Sequence, residues 1–431
     1  MTDPARTVQR TYLLLTLLTT LAASFIWGIN TLFLLDAGLS NTGAFAANAF
    51  FAVGQVIFEI PTGVIADTRG RRFSFLLGAA TLLASTLLYL VMWQLHAPLL
   101  GWAVASILLG LGFTFFSGAT EAWLVDALVA TGFTGSLESL FGRAQTVGGA
   151  AMLGGSVLGG VVAQVTSLGV PYLLRAAMLG VTLVVAFRFM HDLGFEPDRE
   201  ARPVAAVRAV FRGAVDGGLR NPPVRWLMIA APFTAGVGFY GFYALQPYLL
   251  QLYGDPSAYS IAGLAAAIVA GAQIVGGLLV GRVRGFFRLR TDALVLGTIA
   301  NVVLLFLIGW TTNFVVALIL LAGWALGFAF ATPFRQAFIN GVIPSEQRAT
   351  VLSFDSLMGS VGGVVAQPAL GRSADVFGYG PSYMIAAGVQ AWPCRSSSSL
   401  AANGPHPTRS RPTPMYRARR PPSADGATLV Q

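Results

Sequence analysis

The stretch Gly63-Val64-Ile65-Ala66-Asp67-Thr68-Arg69-Gly70-Arg71-Arg72 decides how the chain is read. It is a short, polar, Arg-rich link between two long apolar segments, from about Thr42 to Ile65 and from Phe73 to Trp93. A link this tight joins two antiparallel spanning helices on one side of a bilayer. Arg residues this close to the hydrocarbon place that side in the cytoplasm. Gly63 and Gly70 permit close helix approach and a tight turn. Asp67 is the lone acid among the bases and needs a fixed partner.

The rest of the composition agrees with a spanning chain. Of 431 residues, 55% are hydrophobic and only 10% charged, with mean hydropathy +0.69. A soluble chain carries about 25% charged residues, so a polytopic membrane protein is expected rather than a soluble enzyme. The 50 Gly residues suit close helix–helix packing. The net charge of +9 comes from Arg, with no Lys. These Arg residues fall in short loops between apolar runs rather than on one soluble face, which argues against nucleic acid as a partner. Cys394 is the single cysteine, so neither an intrachain disulfide nor a Cys metal site can form. His96, His191 and His406 lie far apart in sequence. Metal-ligand spacing, a nucleophile elbow and a phosphate-binding loop are all absent. No metal and no cofactor are expected.

Apolar runs give the organisation. The first, Tyr12 to Leu35, is too long for a secretory signal core and is read as a helix that stays. Others follow at Thr42–Ile65, Phe73–Trp93, Pro98–Leu124, Ala144–Leu168 and Pro171–Met190, with a polar connection from Thr131 to Gly142. Residues 191–223 are charged, and Val204 to Val215 within them has the spacing of a surface-lying amphipathic helix. The second half repeats the plan, from Trp226 to about Ala391, with an Arg-rich loop at Arg282 to Arg290. The Arg asymmetry between alternate loops puts the N-terminus in the cytoplasm. The domain reading is therefore 1–190, a linker 191–223, a second half 224–391, and a tail 392–431. The tail composition predicts disorder. The last apolar run, Tyr383 to Ala391, is short of the roughly 20 residues a spanning helix needs. A reading-frame change after it and a natural Arg-rich tail are both open.

Two echoes relate the halves. Gly159-Gly160-Val161-Val162-Ala163-Gln164 recurs as Gly362-Gly363-Val364-Val365-Ala366-Gln367, and Gly112-Phe113-Thr114-Phe115 is echoed by Gly327-Phe328-Ala329-Phe330. Both fall in corresponding runs, the fifth and eleventh and the fourth and tenth.

The opening stretch resembles the signature loop between the second and third helices of the major facilitator superfamily, Gly-x-x-x-Asp-Arg-x-Gly-Arg-Arg. Gly63, Asp67, Gly70, Arg71 and Arg72 match; Thr68 stands where the family usually has Arg. The resemblance covers the chain to about Gly388. It implies two six-helix bundles related by a parallel repeat, with the solute between them. It also implies a gate at the signature loop, in which Asp67 meets the start of the eleventh helix near Ala349 to Ser353 and Arg71 holds an acid. Gly155, Gly159 and Gly160 are similar to the glycine-rich antiporter motif of drug and proton exchangers in the same superfamily, with Ser156 in place of its Pro.

Ionisable groups inside spanning helices are costly and mark function. Glu59, Glu121, Arg335 and Asp355 are the candidates for an inner gate and for proton coupling. Glu121 and Arg335 are expected to pair when the inner mouth closes, with a permanent pair inside one half as the alternative. Asp36, Asp126 and Arg175 are read as interfacial side chains. Tyr240, Tyr243 and Gln246 recur along one side of the seventh run and are read as cavity lining. An aromatic cavity with few charges suits an amphipathic or cationic organic solute.

The resulting expectation is an all-helical secondary transporter in the cell membrane, a monomer, driven by the proton-motive force. It would export small organic compounds, drugs among them, in exchange for protons. A metabolite symporter and an inactive or receptor-like homologue stay open.

Overall fold

The computed structural model describes residues 4–195, 197, 220–284, 290–342 and 345–392. Every regular element among them is a helix. The first half contains α1 (Pro4–Trp27), α2 (Asn30–Asp36), α3 (Asn41–Arg69), α4 (Arg71–Gln94), α5 (Leu99–Phe116), α6 (Ala119–Ala130), α7 (Leu137–Val165) and α8 (Gly169–Phe189). The second contains α9 (Pro222–Tyr253), α10 (Tyr259–Arg284), α11 (Arg290–Trp310), α12 (Phe314–Val342), α13 (Ser345–Phe377) and α14 (Tyr379–Ala391). Among the described residues, ten helical stretches, with α5 and α6 taken as one, are long and apolar enough to cross a membrane. The protein is an all-α polytopic membrane protein.

Helix pairing repeats between the halves. In the first, α1 packs on α7, α3 on α5, and α4 on both α5 and α8; in the second, α9 packs on α13, α10 on α12, and α11 on both α12 and α14. The halves meet through α3 against α13 and α7 against α10, which are equivalent contacts under the same repeat. The Gly159/Gly362 echo has a packing cause. A side chain at Gly159 would run into the Phe25 backbone of α1, and one at Gly362 into the Pro232 backbone of α9. Small residues let helix backbones meet where lipid offers no hydrophobic driving force.

The sequence expectations need correction at several boundaries. The first run breaks at Gly28–Ile29 into α1 and α2, and the fourth breaks at Ser117–Gly118 into α5 and α6. Gly118 sits at φ 68°, a left-handed conformation that side chains other than Gly rarely adopt. The stretch read as a polar connection, Thr131 to Gly142, is helical from Leu137, where the Ser136 hydroxyl accepts the Ser139 N–H at 3.1 Å. The amphipathic helix expected at Val204 to Val215, residues 285–289 of the second basic loop, and the tail after Trp392 lie outside the described residues. Thirteen residues form α14, about 20 Å of helix at 1.5 Å per residue.

The opening stretch turns at one residue. Gly70 ends α3 and begins α4 with φ 108° and ψ 150°. Its missing side chain leaves room for the Asp192 carboxylate, which lies against the place a Cβ would take. The Arg72 backbone N–H donates to Asp192 at 2.8 Å, and the Arg72 guanidinium donates to the Phe187 carbonyl at 2.6 Å. The end of α8 thus clamps the loop within the first half. Burial pushes the Asp192 carboxyl above its ordinary range, opposed by the Arg72 N–H and the charges of Arg72 and Arg71.

Candidate functional site

The two halves are sewn together on the face opposite the Gly63–Arg72 loop, here called the far side. Asp375, near the end of α13, accepts the Asn41 and Thr42 backbone N–H groups at 2.9 Å each and the Thr42 hydroxyl at 2.5 Å. A carboxylate at a helix N-terminus meets unsatisfied N–H groups and the positive end of the dipole. Between the corresponding helices, α7 and α10, the bond is made by a neutral group at another position of the repeat: Gln164, at the end of α7, accepts the Ser260 N–H at 3.1 Å. Gln246 is buried and bridges the halves, accepting the Thr31 N–H at 2.9 Å and donating to the Trp27 carbonyl at 2.8 Å. Tyr379 donates to Asn41 across the same seam. Gly160 and Gly263 bring α7 and α10 into backbone contact, a Cβ on Gly160 falling 2.9 Å from the Gly263 Cα.

Below this seam lies a cavity of about 1080 Å³, lined from both halves by α1 to α9 and α13. It opens toward the loop side, where Glu59, Ser117 and Glu121 are exposed at its mouth. The α5–α6 break builds this mouth. Ser117 donates to Glu59 at 2.6 Å, and Glu121 follows in the first turn of α6.

The far end of the cavity is polar and buried. Tyr172 donates to the Asn30 side-chain oxygen at 2.9 Å, and the Asn30 amide donates to the Asn48 oxygen at 2.7 Å. This chain fixes the Asn48 amide with its NH₂ spare, and that nitrogen is buried without a partner. Arg175 is 2% exposed. Its Nε donates to the Thr86 hydroxyl at 3.0 Å and its Nη1 to the Ala22 carbonyl at 3.3 Å. Its guanidinium carbon stands 6.0 Å from the Phe113 ring centroid.

The structure sorts the residues singled out from sequence. Tyr243 lines the cavity, but Tyr240 is fully buried against Phe45, its hydroxyl sharing a 2.5 Å hydrogen bond with Ser382. Gln246 belongs to the seam. These positions are not one cavity face, because the helix turn between 240 and 246 carries the ends of the pattern away from Tyr243. Arg335 does not meet Glu121. It is held by Asp355 of its own half, with Nε donating to Oδ2 at 3.0 Å and Nη2 bonded to Oδ1, and Nη2 also donates to the Leu227 carbonyl at 2.9 Å. With the mouth open, Arg335 is paired inside its own half, and the Glu121 pair is expected only of the closed mouth. Asp67 pairs with Arg71, whose Nε also lies 3.9 Å from Asp126. Gly63 has open space beside it. Gly155 and Gly159 pack on α1, and Gly160 on α10.

Arg175, Asn48, Asp375 and Asp192 were missed as site residues. Arg175 carried a readable signal. It is six residues in from the far-side end of α8, about 9 Å deep, inside a hydrocarbon layer about 30 Å thick. That is too far for an interfacial reading. The Asn and Asp roles depend on tertiary partners 18 to 334 residues away and leave no local pattern.

Comparisons with known proteins agree with this geometry. The family model of the Major Facilitator Superfamily matches residues 12–367. An uncharacterised MFS-type transporter of Methanocaldococcus jannaschii is 20% identical over 372 residues, covering 86% of this chain and 92% of that protein. The crystal structure of the nucleoside transporter NupG is similar with a TM-score of 0.73 at 9% identity, over 92% of this chain and 99% of that one. The human organic anion transporter MFSD10 is similar with a TM-score of 0.59 at 16% identity, over 91% and 99%. With its repeated bundles, a cavity between them and a family match over most of its length, the chain belongs to the major facilitator superfamily of membrane transporters.

Proposed function

We propose that the protein is a secondary active transporter that exports small organic compounds in exchange for protons by alternating access. The observation that carries this reading is the cavity between the halves, sewn shut on the far side and open on the loop side. A cavity open to one face only is what one end of an alternating cycle requires. By the Arg distribution the open face is cytoplasmic, so the solute would load from the cell interior.

Glu59 and Glu121 are the proton-carrying candidates. Both stand at the mouth, and neither has its charge neutralised by an ion pair among the described residues. Arg335 and Asp355 neutralise each other and serve packing in this state. The Asp67–Arg71 pair is the part of the signature-loop gate formed within one half. Its bond to the start of α13 is proposed for the state in which the loop side closes.

The test uses everted membrane vesicles energised by a proton gradient, with solute uptake and proton release followed together. Exchange predicts opposite movements of solute and proton. Glu121→Gln or Glu59→Gln should abolish accumulation against a gradient and spare solute exchange down its own gradient. Movement of both species in the same direction would instead establish symport, and normal accumulation by both variants would place the proton site elsewhere.

A further inference from the structure

We propose that Arg175 is the recognition site for an anionic group of the solute, so that the cavity takes organic anions with an apolar or aromatic body. The inference rests on the reading of the cavity as the solute site and adds its chemical class. It replaces the expectation of a cationic solute.

Arg175 is a permanent charge, since a guanidinium does not lose its proton in proteins. It is 98% removed from solvent and borders the cavity. A buried charge is ordinarily paired with an opposite one. The second half obeys that rule, with Arg335 on Asp355. Arg175 has no carboxylate in an ion pair with it among the described residues; its protein acceptors are one hydroxyl and one carbonyl. A guanidinium has five N–H donors, and these two acceptors leave most of them free for a ligand. The groups within electrostatic reach are the phenols of Tyr172, Tyr89 and Tyr243, which are neutral.

An independent observation points the same way. The Asn48 amide nitrogen is a second donor in the same cavity, buried and without a partner. Unused donors in the same cavity as a cation that has no ion pair among the described residues match a group that only accepts hydrogen bonds and carries negative charge. Carboxylate, sulfonate and phosphate fit that description, and an ammonium does not. The acids Glu59 and Glu121 stand at the mouth, away from this end, so they do not neutralise Arg175. Phe113, Phe239 and Tyr243 supply surface for the apolar body.

Three probes with one aromatic body and three charges test this: naphthoate, naphthol and naphthylmethylammonium. Binding to the purified full chain is measured by calorimetry at neutral pH, without any gradient. Naphthoate should bind the wild type at least about tenfold more tightly than either of the others, the scale of a charge-assisted hydrogen bond. Arg175→Gln should remove that preference and leave naphthol within about twofold. Arg175→Lys should retain part of it. Should Arg175→Gln fail to fold, the wild-type charge order and the Lys variant still decide. A wild type that prefers the ammonium, or shows no order among the three, overturns the proposal, as does unchanged naphthoate affinity in a folded Gln variant. Because no gradient is used, a failure of proton-coupled export in vesicles would leave this binding result standing, and the reverse also holds.

Discussion

The two halves use one packing plan and treat their membrane arginines in opposite ways. In the second half, Arg335 is gripped by Asp355 through two nitrogens and donates to the Leu227 carbonyl. In the first, Arg175 is more deeply buried, yet among the described residues its hydrogen-bond acceptors are one hydroxyl and one carbonyl. A repeat fixes where helices lie, because that depends on small residues and backbone contacts. It does not fix charge, because a single acid at the right turn neutralises an arginine. The second half has that acid and forms the pair, whereas no acid pairs with Arg175 among the described residues, which leaves a cation at the cavity.

The largest effect should come from breaking the closed pair. Asp355→Ala strands Arg335, whose side chain is 23% exposed. The loss should be about 3 kcal/mol, the low end for a broken buried pair. Replacing both residues by Leu and Met of similar volume should restore most of it. Thermal unfolding of the purified variants checks both. The opposite outcome, a double replacement no more stable than Asp355→Ala, would mean that the pair carries more than its charges.

Next in size is a change that treats the halves alike. Gly159→Leu and Gly362→Leu each force a side chain into a facing helix backbone, and each should cost about 1–3 kcal/mol by overpacking. Similar losses would confirm that the echo is a packing repeat. A large loss in one half only would sever that equivalence.

A smaller effect separates the two equivalent seams. Asp375→Asn keeps the shape of the cap over α3 and removes its charge, worth about 0.3–1 kcal/mol at a helix N-terminus. The far-side-closed population should fall by up to about fivefold. Gln164→Glu should strengthen the other seam by a similar amount. Opposite signs for the two changes, read as accessibility of a cysteine introduced at Asn313 on the far side of a chain carrying Cys394→Ser, are the expected result.

The smallest concerns Asp192 at the signature loop. Its carboxyl is held above the ordinary range by burial. A raised carboxyl contributes stability that is complete below the unfolded pKa and is lost as pH rises through the folded value. Asp192→Asn should therefore flatten the decline of thermal stability over that rise, with little change at low pH and a gain over the wild type above it. A steeper decline in the variant would reverse the sign.

Much of this architecture was legible in the sequence. Long apolar runs, the Arg-rich loop and the Gly-rich echoes are local or periodic, so they could be read before any coordinates. The helix breaks at Gly28 and Gly118 were hidden inside apolar runs that hydropathy cannot divide. The site was legible only in part. Glu59 and Glu121, picked out as rare acids in spanning helices for a gate or proton role, and Tyr243, picked out as cavity lining, all border the cavity. Tyr240 and Gln246 shared the pattern of Tyr243 but turned to a bundle core and to the seam. Arg335 found an acid 20 residues on, in the next helix, rather than one across the mouth. Such partner choices are settled by how helices rotate against their neighbours, and no spacing along the chain records that rotation.

The most direct test of alternating access follows both sides at once. In a chain carrying Cys394→Ser, one spin-label pair is placed at Leu95 and Asn313 on the far side and another at Val129 and Gln336 on the loop side, all exposed positions. Distances are measured in lipid with and without naphthoate, at high and low pH. The account predicts two populations at each pair, with the longer far-side and shorter loop-side distances rising together. A single, unchanging distance at both pairs under every condition would contradict it.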